Sequence, residues 1–133
     1  MKLIFILLAS LTLNISRASK ESRRASNATI GDGFVLNFAL TIQYLQGAFY
    51  EGGLASFSQA DFVTAGFEDP FYHNLQQISL DEQSHATLLQ SVLVAAGIQA
   101  TIPLQYDFPY ADVSSFVALA SVIGGISVSA YVL

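Results

Sequence analysis

The sequence predicts an all-α fold: an up-down helical bundle of three long helices and one short one. Three observations predict it. Apolar residues recur at alternating spacings of three and four through the second half of the chain. Helix start and stop signals fall where those stretches begin and end. The chain has 133 residues, 53% hydrophobic and 11% charged, which suits one small, well-buried domain, with some membrane character as the alternative. It has no cysteine, which excludes a disulfide scaffold, a thiolate metal site and a cysteine nucleophile.

The first residues read as an export signal. Lys2 is followed by an apolar run from Leu3 to Leu13, too short for an ordinary membrane-spanning helix, and Ser16-Arg17-Ala18 offers small residues for cleavage. This places a signal peptide at 1–18, with an uncleaved anchor as the alternative. Residues 19–31 are polar and read as a disordered arm. Asn27-Ala28-Thr29 is a glycosylation sequon, which fits a secreted, extracellular glycoprotein.

The folded domain is placed at 32–133. Asp32 is positioned to cap a first helix from about Gly33 to Leu54, whose seam holds Leu36, Leu40, Gln43, Gly47 and Tyr50. Gly52-Gly53 reads as its end or a break near it. Ser58-Gln59-Ala60-Asp61 resembles a capping box and opens a short helix that Gly66 closes. Asp69-Pro70 starts a second long helix, which runs to Ala96 and stops at Gly97. Residues 98–111 read as a loop with Pro103, Pro109 and three aromatics. Asp112 caps a third long helix, almost wholly apolar, that continues to Leu133. The stretch from Phe116 to Leu133 is just long enough to span a membrane, which keeps a tethered surface protein as an alternative.

Charge is segregated. Every Lys and Arg (Lys2, Arg17, Lys20, Arg23, Arg24) precedes residue 25, whereas every acid except Glu21 follows it. The folded part therefore has no Lys or Arg with which to pair its acids. Nucleic acid is disfavoured and not expected as a partner, because phosphate contact needs Lys and Arg.

The second long helix carries the one pattern that suggests chemistry. Phe71, Leu75, Ile78, Glu82, His85, Leu89, Val92 and Ala96 form a single stripe, apolar except at its centre. A carboxylate and an imidazole three residues apart share a face and can converge on one cation. Glu82 and His85 are thus the candidate metal ligands, and an apolar seam around them requires that something satisfy them. The alternative is an imidazole held by Glu82 or a backbone carbonyl, with Gln43 hydrogen-bonding to the pair. His73 lies off the stripe and reads as surface. Tyr44, Tyr50 and Tyr131 read as core or rim aromatics.

The segments Leu36-Asn37-Phe38-Ala39-Leu40-Thr41-Ile42-Gln43-Tyr44-Leu45-Gln46-Gly47-Ala48-Phe49-Tyr50 and Asp81-Glu82-Gln83-Ser84-His85 resemble, in that order, the first two helices of a secreted ferritin-like family of stress-response and desiccation-related proteins, mostly fungal and bacterial. Tyr106-Asp107-Phe108-Pro109-Tyr110, Ala118-Leu119-Ala120-Ser121-Val122-Ile123 and Val128-Ser129-Ala130-Tyr131 continue the match. The resemblance implies a ferritin-like bundle across 32–133, truncated by the loss of a fourth helix that would bring a second Glu-x-x-His. It also implies Glu ligands where this chain has Gln43 and Gly124, and often another where it has Gln46. Only Glu82 and His85 match expected ligands, and Tyr50 matches a position near the metals.

One carboxylate cannot neutralise two divalent ions, so no cofactor is expected in the isolated chain, and iron or manganese only if the site is completed. The expectation is a secreted, stress-related ferritin-like protein with a degenerate di-metal site and no catalysis. A metal-binding, oxidoreductase-type protein completed by a partner chain or a further segment is the alternative. Three helices leave an apolar groove, which a homodimer would cover.

Overall fold

The computed structural model of the protein describes residues 31–131, with the backbone alone for 127–131. Residues 31–56 form α1, Gln59–Thr64 α2, Phe71–Ala95 α3 and Val113–Tyr131 α4, and the described residues contain no strand. The described residues are all-α, with three long helices and one short one, as the patterning predicts. It divides into two units, Met1–Val35 and Leu36–Leu133. Of the first, residues 31–35 are described and are helical; the packed bundle is the second. The signal peptide placed at 1–18, the Asn27 sequon and the rest of the arm up to residue 30 lie outside the described residues.

Two boundaries differ from the sequence reading. Residues 31–33 are already helical, so Gly31 is not part of an arm and Asp32 is not an N-cap. Gly52-Gly53 does not end α1, which continues to residue 56. These glycines serve packing instead: a Cβ on Gly53 would fall 2.0 Å from Phe116 Cε2, and one on Gly52 would fall 2.8 Å from the Tyr110 hydroxyl oxygen.

The other helix ends follow their local chemistry. Ser58 caps α2 in a full capping box: its side chain accepts from the Asp61 amide, and the Asp61 carboxylate accepts from the Ser58 amide at 2.7 Å. Gly66 (φ 91°) and Gly97 (φ 69°) take the left-handed conformation just past α2 and α3. Each allows a Schellman closure, in which Phe67 N–H donates to the Phe62 carbonyl and Ile98 N–H to the Leu93 carbonyl, both at 2.9 Å. Pro70, joined to Asp69 by a cis peptide bond, is the N-cap of α3. Asp112 caps α4, its Oδ1 accepting from the Ser115 amide at 2.7 Å.

Helices α1 and α3 pack antiparallel. Leu40, near the start of α1, clusters with Ala86 and Leu93 from the later part of α3. Phe49 and Tyr50, further along α1, cluster instead with Leu75 near the start of α3. The second cluster is mainly aromatic and also holds Phe62 and Phe116. Phe49 stacks on Phe116 (centroids 4.7 Å apart, 13° between planes), and Phe62 meets Phe116 edge-on at 6.0 Å. Phe49, Phe62 and Phe116 are fully buried, each contributing roughly 1.5–3 kcal/mol by leaving water.

Residues 98–111 are a crossover that runs along α1 in the same direction. Asn37 grips its beginning, donating to the Gln99 carbonyl (3.1 Å) and accepting from the Thr101 amide (2.7 Å). Phe49 meets Phe108 (5.2 Å) and Tyr110 (5.8 Å) near its end. Within it Tyr106, Phe108 and Tyr110 stack at every second residue, as extended backbone dictates. The crossover returns the chain to the α2 end of the bundle, so α3 and α4 begin at the same end. A bundle with one long crossover is the ferritin-like arrangement.

Among the described residues no helix is long and apolar enough to cross a membrane. The reading of 116–133 as a membrane span finds no support among the described residues, where Phe116 and Ile123 are buried in the aromatic core.

Candidate functional site

Between the two apolar clusters, the facing positions of α1 and α3 turn polar. From α1 come Gln43 and Gln46, each 4% exposed; from α3 comes Ser79, 6% exposed. One and two turns from Leu75, the positions Ser79 and Glu82 continue the buried line of α3. The Glu82 side chain is 14% exposed. Tyr50 is buried next to this layer. Burial pushes its phenol above the ordinary tyrosine value, and the nearby charge of Glu82 pushes it the same way. Gln46 Oε1 is buried without a hydrogen-bond partner.

Glu82 thus occupies the place the sequence assigns it, but His85 does not. Its side chain is 58% exposed, with Nδ1 3.5 Å from Glu82 Oε2. The seam of α3 follows Tyr72, Leu75, Ser79, Glu82, Ala86, Leu89 and Leu93, all buried or half-buried, whereas Ile78, His85, Val92 and Ala96 are exposed. Both lines share Leu75, Glu82 and Leu89. The covered one continues from each shared residue to its neighbour four positions on, and those neighbours, Ser79, Ala86 and Leu93, are buried. His73 is exposed, as its position off the stripe indicates. Gly124 is half-buried, and a Cβ there would meet nothing within 4 Å. The Tyr131 side chain lies outside the described residues.

A cleft of about 320 Å³ lies between α1, α3 and the crossover, with Gln43, Glu51 and Glu82 among its walls. Glu51, Gln83 and Pro103 are lining residues that the sequence reading does not single out. Glu51 lies seven residues after Tyr44 and four after Gly47, which also line the cleft, a spacing that keeps side chains on one helix face, and that is the signal the sequence offers.

The site does not suit two cations within one chain. Among the described residues no three His, Asp or Glu side chains come together as a metal-holding group. Gln43, which lines the same cleft as Glu82, and Gln46, buried on the same helix, are neutral amides, which give no negative charge to offset a second divalent ion.

A helical bundle with a single long crossover and a polar layer between its first two long helices defines the class to which this protein belongs. The ferritin-like domain model matches residues 31–133, and the chain belongs to that family. No curated protein matches the chain.

Proposed function

We propose that this chain is an exported, stress-related ferritin-like protein whose di-metal site has degenerated and which has no catalytic activity of its own. The observation that carries this reading is that Gln43, which lines one cleft with Glu82, and Gln46 on the same helix are both buried and both uncharged. Export is supported by the Lys2, Leu3–Leu13 and Ser16-Arg17-Ala18 pattern. The stress role rests on the ordered resemblance of the helical segments. Metal analysis of the purified full chain, dialysed at neutral pH, tests the site. Iron and manganese are expected well below one per chain, and stoichiometric metal overturns the reading.

A specific observation favours a second reading, in which another copy of the chain completes the site. His85 is exposed beside Glu82, and Ile78, His85 and Val92 repeat at seven-residue spacing along the uncovered flank of α3. Pairing along that line joins two Glu-x-x-His units. On this reading the protein sediments as a dimer with bound metal, and His85→Ala abolishes metal uptake. Unchanged uptake in that variant rejects it.

A further inference from the structure

The cleft beside the polar layer has a character of its own. Its two helical walls each bring a carboxylate, Glu51 from α1 and Glu82 from α3, and Ala86 of α3 and Pro103 of the crossover add apolar lining. Its end is preformed: Gln90 of α3 donates to the Tyr44 hydroxyl of α1, which donates in turn to the Thr101 carbonyl of the crossover at 3.4 Å. Three separate segments are thereby tied together around it. Its volume, about 320 Å³, lies at the lower end of the range for small-molecule sites.

The charge balance selects the ligand. Glu82 is mostly buried, and the chain has no Lys or Arg after Arg24, so the folded part supplies neither carboxylate with a permanent cation. A metal ion needs ligands that converge on one point, and among the described residues no three His, Asp or Glu side chains do so. An aliphatic ammonium ion needs no such convergence. Its N–H donors seek separate acceptors, and its methylene chain leaves water against apolar surface. We propose that this cleft binds a compact aliphatic diammonium ion, its ends paired with Glu51 and Glu82 and its methylenes against Ala86 and Pro103. The site shares Glu82 with the degenerate metal site but does not depend on any metal being bound.

Titration calorimetry of the full chain with 1,4-diaminobutane tests this, with butane-1,4-diol as the neutral analogue. Saturable one-to-one binding of the diamine and none of the diol is expected. Glu82→Gln and Glu51→Gln should each weaken it at least tenfold, whereas Glu68→Gln, an exposed acid away from the cleft, should leave it unchanged. Circular dichroism confirms that each variant is folded. If Glu82→Gln fails to fold, Glu51→Gln alone carries the test, since Glu51 is exposed. Absence of saturable binding, equal binding of the diol, or equal weakening by Glu68→Gln overturns the proposal. None of these outcomes depends on the metal content measured above, so the two readings stand or fall separately.

Discussion

The ring of Phe116 lies directly on the backbone of Gly53, leaving no room for a methyl group between α1 and the start of α4. A Cβ at Gly53 would sit 2.0, 2.6 and 2.6 Å from three atoms of that ring. Phe116 is fully buried and stacked on Phe49, so it has nowhere to retreat. Gly53→Ala should therefore destabilise the fold by roughly 1–3 kcal/mol, the usual cost of overpacking. This outweighs the gain of about 1 kcal/mol that alanine brings to a helix interior. At Gly47, in the same helix, an added Cβ would meet nothing within 4 Å, so Gly47→Ala should stabilise by up to about 1 kcal/mol. Urea denaturation of the two variants separates packing from propensity, and the same sign for both refutes the close-approach role of Gly53.

Two helix-capping carboxyls contribute to the acid limit of stability. Hydrogen bonds from Ser58 hold the Asp61 carboxyl below the ordinary aspartate range, and bonds from Ser115 do the same for Asp112. A carboxyl whose folded value is depressed adds stability above its unfolded value, about 3.9, and loses it as pH falls through the folded value. Stability from these two groups should therefore be constant from neutral pH down to about 5 and then decline below about 4. Asp61→Asn and Asp112→Asn should each make the acid limb shallower while leaving its neutral-to-alkaline limb unchanged. Thermal melts across pH measure this, and a parallel shift at all pH values in both variants counts against the linkage.

The same residues show what a sequence displays about its fold. Ser58-x-x-Asp61, Gly66, Gly97 and Asp112 are legible because capping and left-handed closure are local chemistry, decided within a few residues. The choice of seam on α3 is not local. Ile78, His85 and Val92 lie three positions after Leu75, Glu82 and Leu89, and Ser79, Ala86 and Leu93 lie four positions after them, so both lines have helical spacing. The apolar residues favour the first line, but packing buries the second, which at Ser79 and Ala86 carries small side chains that a hydropathy pattern does not score. Glu82 belongs to both lines, so its place is legible whichever is chosen; His85 belongs to one alone, and its place is not. Gly52-Gly53 misleads for a related reason, because a glycine required by a distant ring looks in sequence like one that ends a helix.

Tyr50 reports on Glu82. Burial is the larger cause of its raised titration and the charge of Glu82 the smaller. Glu82→Gln should therefore move the Tyr50 transition down, yet leave it above the ordinary tyrosine value near 10. Because the folded value is raised, the group's contribution to stability is complete below the unfolded value and is lost as pH rises through the folded one. Ultraviolet titration measures this, with Tyr50→Phe identifying the transition among the six tyrosines. A Tyr50 transition unmoved by Glu82→Gln would show that the carboxylate lies too far away to contribute to the polar layer.

If the site has lost its metals through the loss of carboxylates, restoring carboxylates should bring metal back. Gln43 borders a cleft with room beside it, and a Cβ at Gly124 meets nothing within 4 Å, so Gln43→Glu and Gly124→Glu can be introduced without overpacking. In the absence of metal the double variant should be less stable than the wild type, because Gln43 is almost fully buried and a carboxylate there would be taken out of water in the same cleft as the carboxylate of Glu82. Added manganese should reverse the loss: a ligand at a hundred times its dissociation constant stabilises by about 2.7 kcal/mol. The wild type should show no such response. Melting temperatures with and without manganese, combined with metal analysis, decide the matter. A double variant that folds but gains neither metal nor metal-dependent stability removes Gln43 and Gly124 as the positions where the ligands were lost.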